Sequence, residues 1–344
     1  MTDKPATPPA STPSHADVRT ILGETQSTTL GRLMKSQEFY VSVAILVAGL
    51  VVSFIAPQFG TMLNLGNVLQ NFCFTALLAI GMTPILISGG IDLSIGSIMG
   101  CCGVVIGLAT GAGCPLILAI PLTLLAGAAL GLINGCFIAY LRLPPFLVTL
   151  GTMTIFRSFV LVGSNNKVIY SFGPDEELLL WLGSGRSFGI PNVFIALVVS
   201  ALLLHFLLTS TRWGRWVLAI GGNERATRLN GLPVKRMKAS VYAFGGAMAG
   251  LCAVFLVGWL GAVTNSLGNG DELRAIAGAV IGGASLAGGY GSAFGASIGS
   301  LLIEIIRNAL ILAGVNPFWQ GAFVGGFIIV AVTVQRLRTS TDDD

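Results

Sequence analysis

The chain has 344 residues, of which 53% are hydrophobic and only 10% charged. A soluble domain needs about a quarter of its residues charged to cover its surface. A soluble enzyme, a disordered chain and a nucleic-acid-binding protein are therefore all disfavoured, and no nucleic-acid partner is expected. The formal charge of +4 says less as a total than the positions of the charges do.

The first 38 residues are polar and rich in Pro, Ser and Thr, and read as a disordered tail rather than a secretory signal. The apolar part follows, over residues 39–336. Its runs cover 39–56, 66–88, 93–110, 115–140 and 145–163; between Phe39 and Leu141 the only charged side chain is Asp92. A polar loop, 164–189, holds the acidic run Asp175-Glu176-Glu177. A sixth run, 191–210, leads into a basic segment, 212–238. Four more runs lie near 239–260, 272–288, 293–313 and 318–335, and a short polar tail, 337–344, closes the chain. A spanning helix takes about 20 mainly apolar residues. Long Leu/Ile/Ala/Gly runs favour helices over the alternation of an outer-membrane barrel. The expected fold is an all-α membrane protein with about ten transmembrane helices. The eighth run is Gly-rich and opens on Asp271, Glu272 and Arg274, which makes it the least regular.

Orientation follows from Lys and Arg in short loops. The basic segment carries Arg212, Arg215, Arg225, Arg228, Lys235, Arg236 and Lys238 against one acid, Glu224, so it is expected in the cytoplasm. Counting six helices back places the N-terminus there too, and four forward places the C-terminus beside Arg336 and Arg338. Arg142 falls inside; Asp175–Glu177 and the Asp271–Glu272 pair fall outside.

Glycines spaced by four suit close helix approach in lipid. They occur as Gly127/Gly131/Gly135, Gly291/Gly295/Gly299, Gly246/Gly250 and Gly321/Gly325. The six cysteines lie in or beside apolar runs with no CxxC spacing; they read as small buried hydrophobes, with no metal site. Asp92 and Ser94 follow the helix break Gly89-Gly90 and are good N-cap residues for the next helix. The alternative is that they line a transport route, and the two roles are compatible in a broken helix. Glu304 and Arg307, three apart, can pair on one helix face, as structural glue or as a polar patch on that route. Asn71 and Asn134 suit interhelical hydrogen bonds.

No Walker A loop, no zinc-protease motif and no nucleophile elbow is present. Within the basic segment Asn223 can cap a short helix over 224–229, which Asn230-Gly231 closes and Pro233 prevents from continuing. A topogenic loop explains the charge; a docking element for a cytoplasmic partner explains the charge and the capped helix.

Four stretches carry a resemblance: GGIDLSIGS (89–97), Asn134-Gly135 with LPPFLVTLGTMTIFRS (143–158), GGNERATRLNGLPVKRMK (221–238) and IAGAVIGGASLAGGYGSAFGASIGS (276–300). The chain resembles the membrane permease subunit of bacterial ABC sugar importers of the ribose/xylose/arabinose type, the branch that includes autoinducer-2 and galactofuranose permeases. The resemblance implies a multi-pass protein of the bacterial inner membrane that conducts a monosaccharide or similar small polar solute. It assigns Asn223, Glu224, Ala226, Leu229 and Gly231 to the coupling loop that docks on the ATPase. Implied partners are two ATP-binding subunits, which bind ATP and Mg, a periplasmic sugar-binding protein, and a second permease copy or homologue within membrane lipid. No cofactor is expected in this chain. The competing reading is an ion-coupled secondary transporter with Asp92 or Glu304 as the coupling acid.

Overall fold

The computed structural model describes residues 37–316 together with 319, 321–323, 325, 326, 329 and 333. The expected tail 1–38 lies outside the described residues except for its last two. So do the C-terminal segment 337–344 and most of the tenth run, 318–335. The helices are α1 (Gln37–Ile55), α2 (Met62–Ile87), α3 (Ile95–Gly111), α4 (Leu116–Tyr140), α5 (Pro145–Gly163) and α6 (Glu176–Ser184). They continue with α7 (Asn192–Ser210), α8 (Arg212–Gly222), α9 (Glu224–Leu229), α10 (Val234–Leu260), α11 (Asp271–Ile281) and α12 (Ala293–Leu312). Strands are confined, among the described residues, to one two-residue hairpin, β1 (Arg186–Ser187) with β2 (Ile190–Pro191).

The chain is an all-α membrane protein. Seven of the described helices are long and apolar enough to cross a membrane: α1, α2, α4, α5, α7, α10 and α12. α3 is apolar but shorter, at 17 residues. The eighth run does not form a spanning helix, because only Asp271–Ile281 is helical. The ten expected helices are thus seven candidate spans, one short helix, one broken segment and one run largely outside the described residues.

α2 and α10 are the centre of the bundle and are buried along most of their length. Lipid tails are as apolar as leucine, so apolar burial alone does not hold these helices together; close packing and interhelical hydrogen bonds do. The glycine spacing supplies the packing. A Cβ on Gly131 would collide with the Tyr242 carbonyl of α10 and lie 3.2 Å from Gly246 N. One on Gly135 would lie 2.6 Å from Ala239 Cα. Gly127 and Gly246 likewise face each other's backbone. The glycines of the fourth and seventh runs are thus two halves of one contact. Gly321 and Gly325, in contrast, have nothing within 4 Å of a Cβ. Asn71 does not bridge helices, since its amide donates to Asn67 O of its own helix at 2.8 Å. Its neighbour Gln70 does, donating to Gly183 O of α6 at 2.7 Å.

The broken segment has a physical cause. After α10 the chain turns back at Gly261, and residues 261–270 run against the glycine face of α3. Val263 lies over Gly107, Leu267 over Gly100, and Gly268 against Gly96, where only glycine leaves room for backbone. Non-helical backbone is tolerated at such depth when protein satisfies its polar groups. Here Ile169 and Val263 exchange both backbone bonds. Arg157 Nη1 of α5 donates to Leu267 O at 2.8 Å. α11 then runs on to the loop 282–292, which packs on α8 through Gly221 and Gly288 and on Ile87 O through Gly289 N at 2.9 Å. The turn-rich piece and α11 together join the face that carries Ile169 to the face that carries α8.

Candidate functional site

Three groups of polar residues stand out. The first is the basic segment. Thr211 caps α8 by accepting from Gly214 N at 3.3 Å, so residues 212–222 are a helix rather than an irregular lead-in. Trp213 Nε1 donates to Ser240 Oγ of α10 at 2.8 Å and fastens α8 to it. α9 matches the helix expected over 224–229. Asn223 Oδ1 accepts from Ala226 N at 2.9 Å. At the other end Gly231 N donates to Arg228 O and Leu232 N to Thr227 O, with Gly231 at φ +78°. This is the Schellman closure, and its left-handed position is costly for any residue with a Cβ. Thr227 faces inward and donates to Ala219 O at 2.8 Å. Leu229 is 82% exposed on an otherwise charged turn. Lys235, Arg236 and Lys238 belong to the first turns of α10 rather than to a loop.

Glu224 joins the two helices. Its carboxylate takes Arg228 at 2.5 Å along α9 and Lys238 of α10 at 2.6 Å. Partial burial pushes the carboxyl up, but the bonds and charges of Lys238 and Arg228 outweigh that and hold it below the usual carboxylate range.

The second group surrounds the break after α2. Ser88 ends that helix, and Gly89 at φ +77° turns the chain into the bundle. The cap expected of Asp92 and Ser94 takes another form. Ser94 occupies the N-cap position of α3, yet its side chain makes no cap bond. Asp92 Oδ1 instead accepts from Ser94 N at 2.8 Å and from Ser94 Oγ at 2.6 Å, an Asx-type turn. Asn134 of α4 donates to Ser94 Oγ at 2.7 Å, and Tyr242 of α10 donates to Ile91 O at 3.1 Å. Asp92, Ser94 and Asn134 are fully buried. Asp92 Oδ2, Ser97 Oγ and Asn134 Oδ1 have no hydrogen-bond partner among the described residues.

The third group lies where α11 begins. Glu304 and Arg307 pair on α12 as their spacing requires, at 3.0 Å, with Glu304 4% exposed. Arg274 pairs with Asp271 at 2.9 Å on α11. The Asp271–Glu272 pair opens α11 and is half-buried, with Glu272 against Gly96 of α3. The N-terminal turns of α3 and α11 meet there. Broken helices that start at membrane depth turn their positive ends toward polar solutes. Sequence reasoning gave no role to Arg157 or Tyr242, and took Arg274 and Lys238 only as charges without their partners. Arg157, a lone cation inside an apolar run, was the available signal for the first.

A multi-pass helical bundle with two helix breaks and part-buried ion pairs, and with a short capped helix on one face, has the make-up of a membrane permease. Residues 64–332 match the family described as branched-chain amino acid transport system / permease component. The chain is 36% identical over 297 residues to the ribose import permease protein of Escherichia coli (strain K12), covering 86% of this chain and 92% of that protein. The ribose import permease protein of Bacillus subtilis (strain 168) is 36% identical over 291 residues, 85% and 90% of the two chains. The D-allose transport system permease protein of E. coli (strain K12) is 37% identical over 297 residues, 86% and 90%. No solved structure matches. The chain belongs to this permease family. It is a permease subunit of an ABC importer and not an enzyme, ATP hydrolysis belonging to a separate subunit.

Proposed function

We propose that this subunit conducts a monosaccharide or similar small polar solute across the bacterial inner membrane. The basic segment and both termini face the cytoplasm. Ten crossings are counted, the broken segment being the eighth and 318–335 the tenth. Two ATP-binding subunits, holding ATP and Mg, dock on α9; a periplasmic sugar-binding protein delivers solute to the opposite face; a second permease copy or homologue completes the path. The relatives named for ribose and D-allose support the solute class. Residues Asp92, Ser94 and Asn134, with Glu304 and Arg307, flank the solute's route where α3 and α11 begin.

The observation that carries the coupling role is Leu229, an exposed apolar side chain on a capped helix that Glu224 ties to α10. An exposed apolar anchor in a polar surround is what a partner's groove recognises. From Lys238 the contacts run along α10 to Tyr242, and through Ile91 to Asp92 and Ser94. ATP-driven closure of the partners moves α9, and α10 carries that motion to the break beside the route.

Co-purification with the ATP-binding subunit, with and without Leu229→Ser, tests the docking role. Loss of the ATPase at unchanged membrane level is expected; full retention would remove Leu229 from the interface. Asp92→Asn is expected to keep assembly and sugar uptake, without pH dependence, because the amide oxygen can accept both Ser94 bonds. Complete loss of uptake in an assembled complex would show that the negative charge itself takes part.

A further inference from the structure

A cavity of about 400 Å³ opens beside the first turn of α10, between the α4–α5 connection and the end of α9. Its walls hold four cations, Arg142, Arg228, Lys235 and Arg236, together with Tyr140, and no acid. Arg228 is partly neutralised by Glu224. Arg142, Lys235 and Arg236 have no carboxylate partner among the described residues. Lys235 Nζ lies 5.6 Å from the Tyr140 ring centre, a cation–π contact that keeps the ammonium at the mouth. Arg142 takes a left-handed backbone, φ +58°, which residues other than glycine rarely adopt. Like charges gathered in one concavity repel each other, so the arrangement is completed by an anion.

The surroundings say which anion. Immediately beyond Arg142 and Tyr140 the chain presents Leu141, Leu143, Phe146 and Leu147, each 44–62% exposed. These lie at the ends of α4 and α5, both candidate membrane spans, so this apolar apron borders the hydrocarbon. A free phosphate needs the cations and has no use for the apron. A diacyl lipid uses both: the phosphate enters the cavity and the acyl chains lie along α4 and α5. Basic pockets between spanning helices on the cytoplasmic side suit anionic lipid head groups. Trp and Tyr are also favoured at this depth, where Tyr140 stands.

We infer that the cavity lined by Arg142, Arg228, Lys235 and Arg236 binds the phosphate head group of an anionic phospholipid of the leaflet that α9 faces. Its place matters, because Arg228 also serves Glu224 and Lys235 and Arg236 share the helix that carries Lys238. A lipid seated there braces the turn between α9 and α10 and links the docking element to membrane composition.

The test uses the full chain, purified with its ATP-binding subunits and placed in vesicles of phosphatidylcholine with or without phosphatidylglycerol. Phosphatidylglycerol retained through delipidation is counted by native mass spectrometry, and the melting temperature is followed alongside. Arg142→Gln and Arg236→Gln are compared singly and together. Each removed cation is expected to weaken phosphatidylglycerol binding by about fivefold, and to remove its share of the lipid-dependent rise in melting temperature. ATPase co-purification and melting in pure phosphatidylcholine should stay as in the parent, which separates lost lipid from lost folding. Unchanged phosphatidylglycerol retention in the double variant would overturn the inference. An equal rise in melting temperature with inorganic phosphate alone would make it a free-anion site and overturn the lipid. Loss of the ATP-binding subunit from the variants in pure phosphatidylcholine would assign the cations to the protein partner instead, and would overturn it equally.

Discussion

Glu224→Lys is expected to leave the permease in the membrane at its usual level and to uncouple ATP hydrolysis from solute uptake. The carboxylate holds Lys238 at 2.6 Å and Arg228 at 2.5 Å, so the substitution puts a third cation where two were paired. It also places a positive charge in the first turn of α9, where the helix dipole favours a negative one. α9 keeps its Asn223 cap and its inward Thr227, so the helix survives while its tie to α10 is lost. Gly231→Val reaches the same end from the other side. Nothing lies within 4 Å of a Cβ at Gly231, so the cost comes from the backbone alone. It is about 1 kcal/mol or more for a β-branched residue at φ +78°. Membrane level, ATPase co-purification and uptake on one preparation check both variants. Full coupling in both would return the segment to a topogenic role. The pH dependence has a fixed sign. The Glu224 carboxyl is held below the usual carboxylate range by Lys238 and Arg228, against partial burial that pushes it up. Its contribution is complete above the ordinary carboxylate pKa and fades as pH falls through the depressed value. Coupling is therefore expected to be level from neutral pH into mild acid and to fail only in stronger acid. Glu224→Gln should remove that acid limb.

What could be read from the sequence was whatever depends on local rules. α9 is the clearest case. Its cap, its length and its closing glycine each follow from neighbouring residues, and each is found in place. α5 begins and ends where its apolar run does, and Glu304 meets Arg307 because three residues on a helix make one face. What depends on distant partners was hidden. Nothing near Val263 says that residues 261–270 will run as successive turns along another helix, because the reason is the glycine row Gly96, Gly100, Gly103 and Gly107 on α3. Composition alone counted 272–288 as one helix, whereas the helix ends at Ile281. Asp92 was visible as an anomaly, but its Asx turn and the Asn134 and Tyr242 bonds around it are set by the packing of α3, α4 and α10. α8 went unread because its apolar face is supplied by Val217 and Ile220 between charged and glycine positions, a pattern easily taken for a loop.

Gly291, in the loop before α12, and Gly295 and Gly299 within it are expected to respond unequally to the same substitution, although their spacing makes them look alike. A Cβ at Gly291 meets side chains rather than backbone, Ile87 Cγ1 at 2.9 Å and Cδ1 at 3.1 Å and Ala284 Cβ at 3.3 Å. A side chain and the non-helical backbone at Gly291 can shift by a few tenths of an ångström, so Gly291→Ala should be the mildest of the three. At Gly295 the added carbon collides with the Gly282 carbonyl, and at Gly299 with the Gly278 carbonyl, with Gly282 N 2.6 Å away. Backbone cannot rotate aside. Gly295→Ala and Gly299→Ala must push α12 off α11, at about 1–3 kcal/mol for a strained core insertion. Leucine at either position should prevent assembly. The consequence extends beyond packing, because α11 carries Asp271 and Arg274 and α12 carries Glu304 and Arg307. Separating the helices parts the two ion pairs that stand where α11 begins. Melting curves of the three alanine variants in one lipid mixture check the order, with Gly291→Ala near the parent and the other two clearly lower. Equal melting for all three would mean that α12 does not lean on the backbone of α11. Loss of uptake in Gly295→Ala at a temperature where the protein is still folded would place the α11–α12 contact on the solute's route.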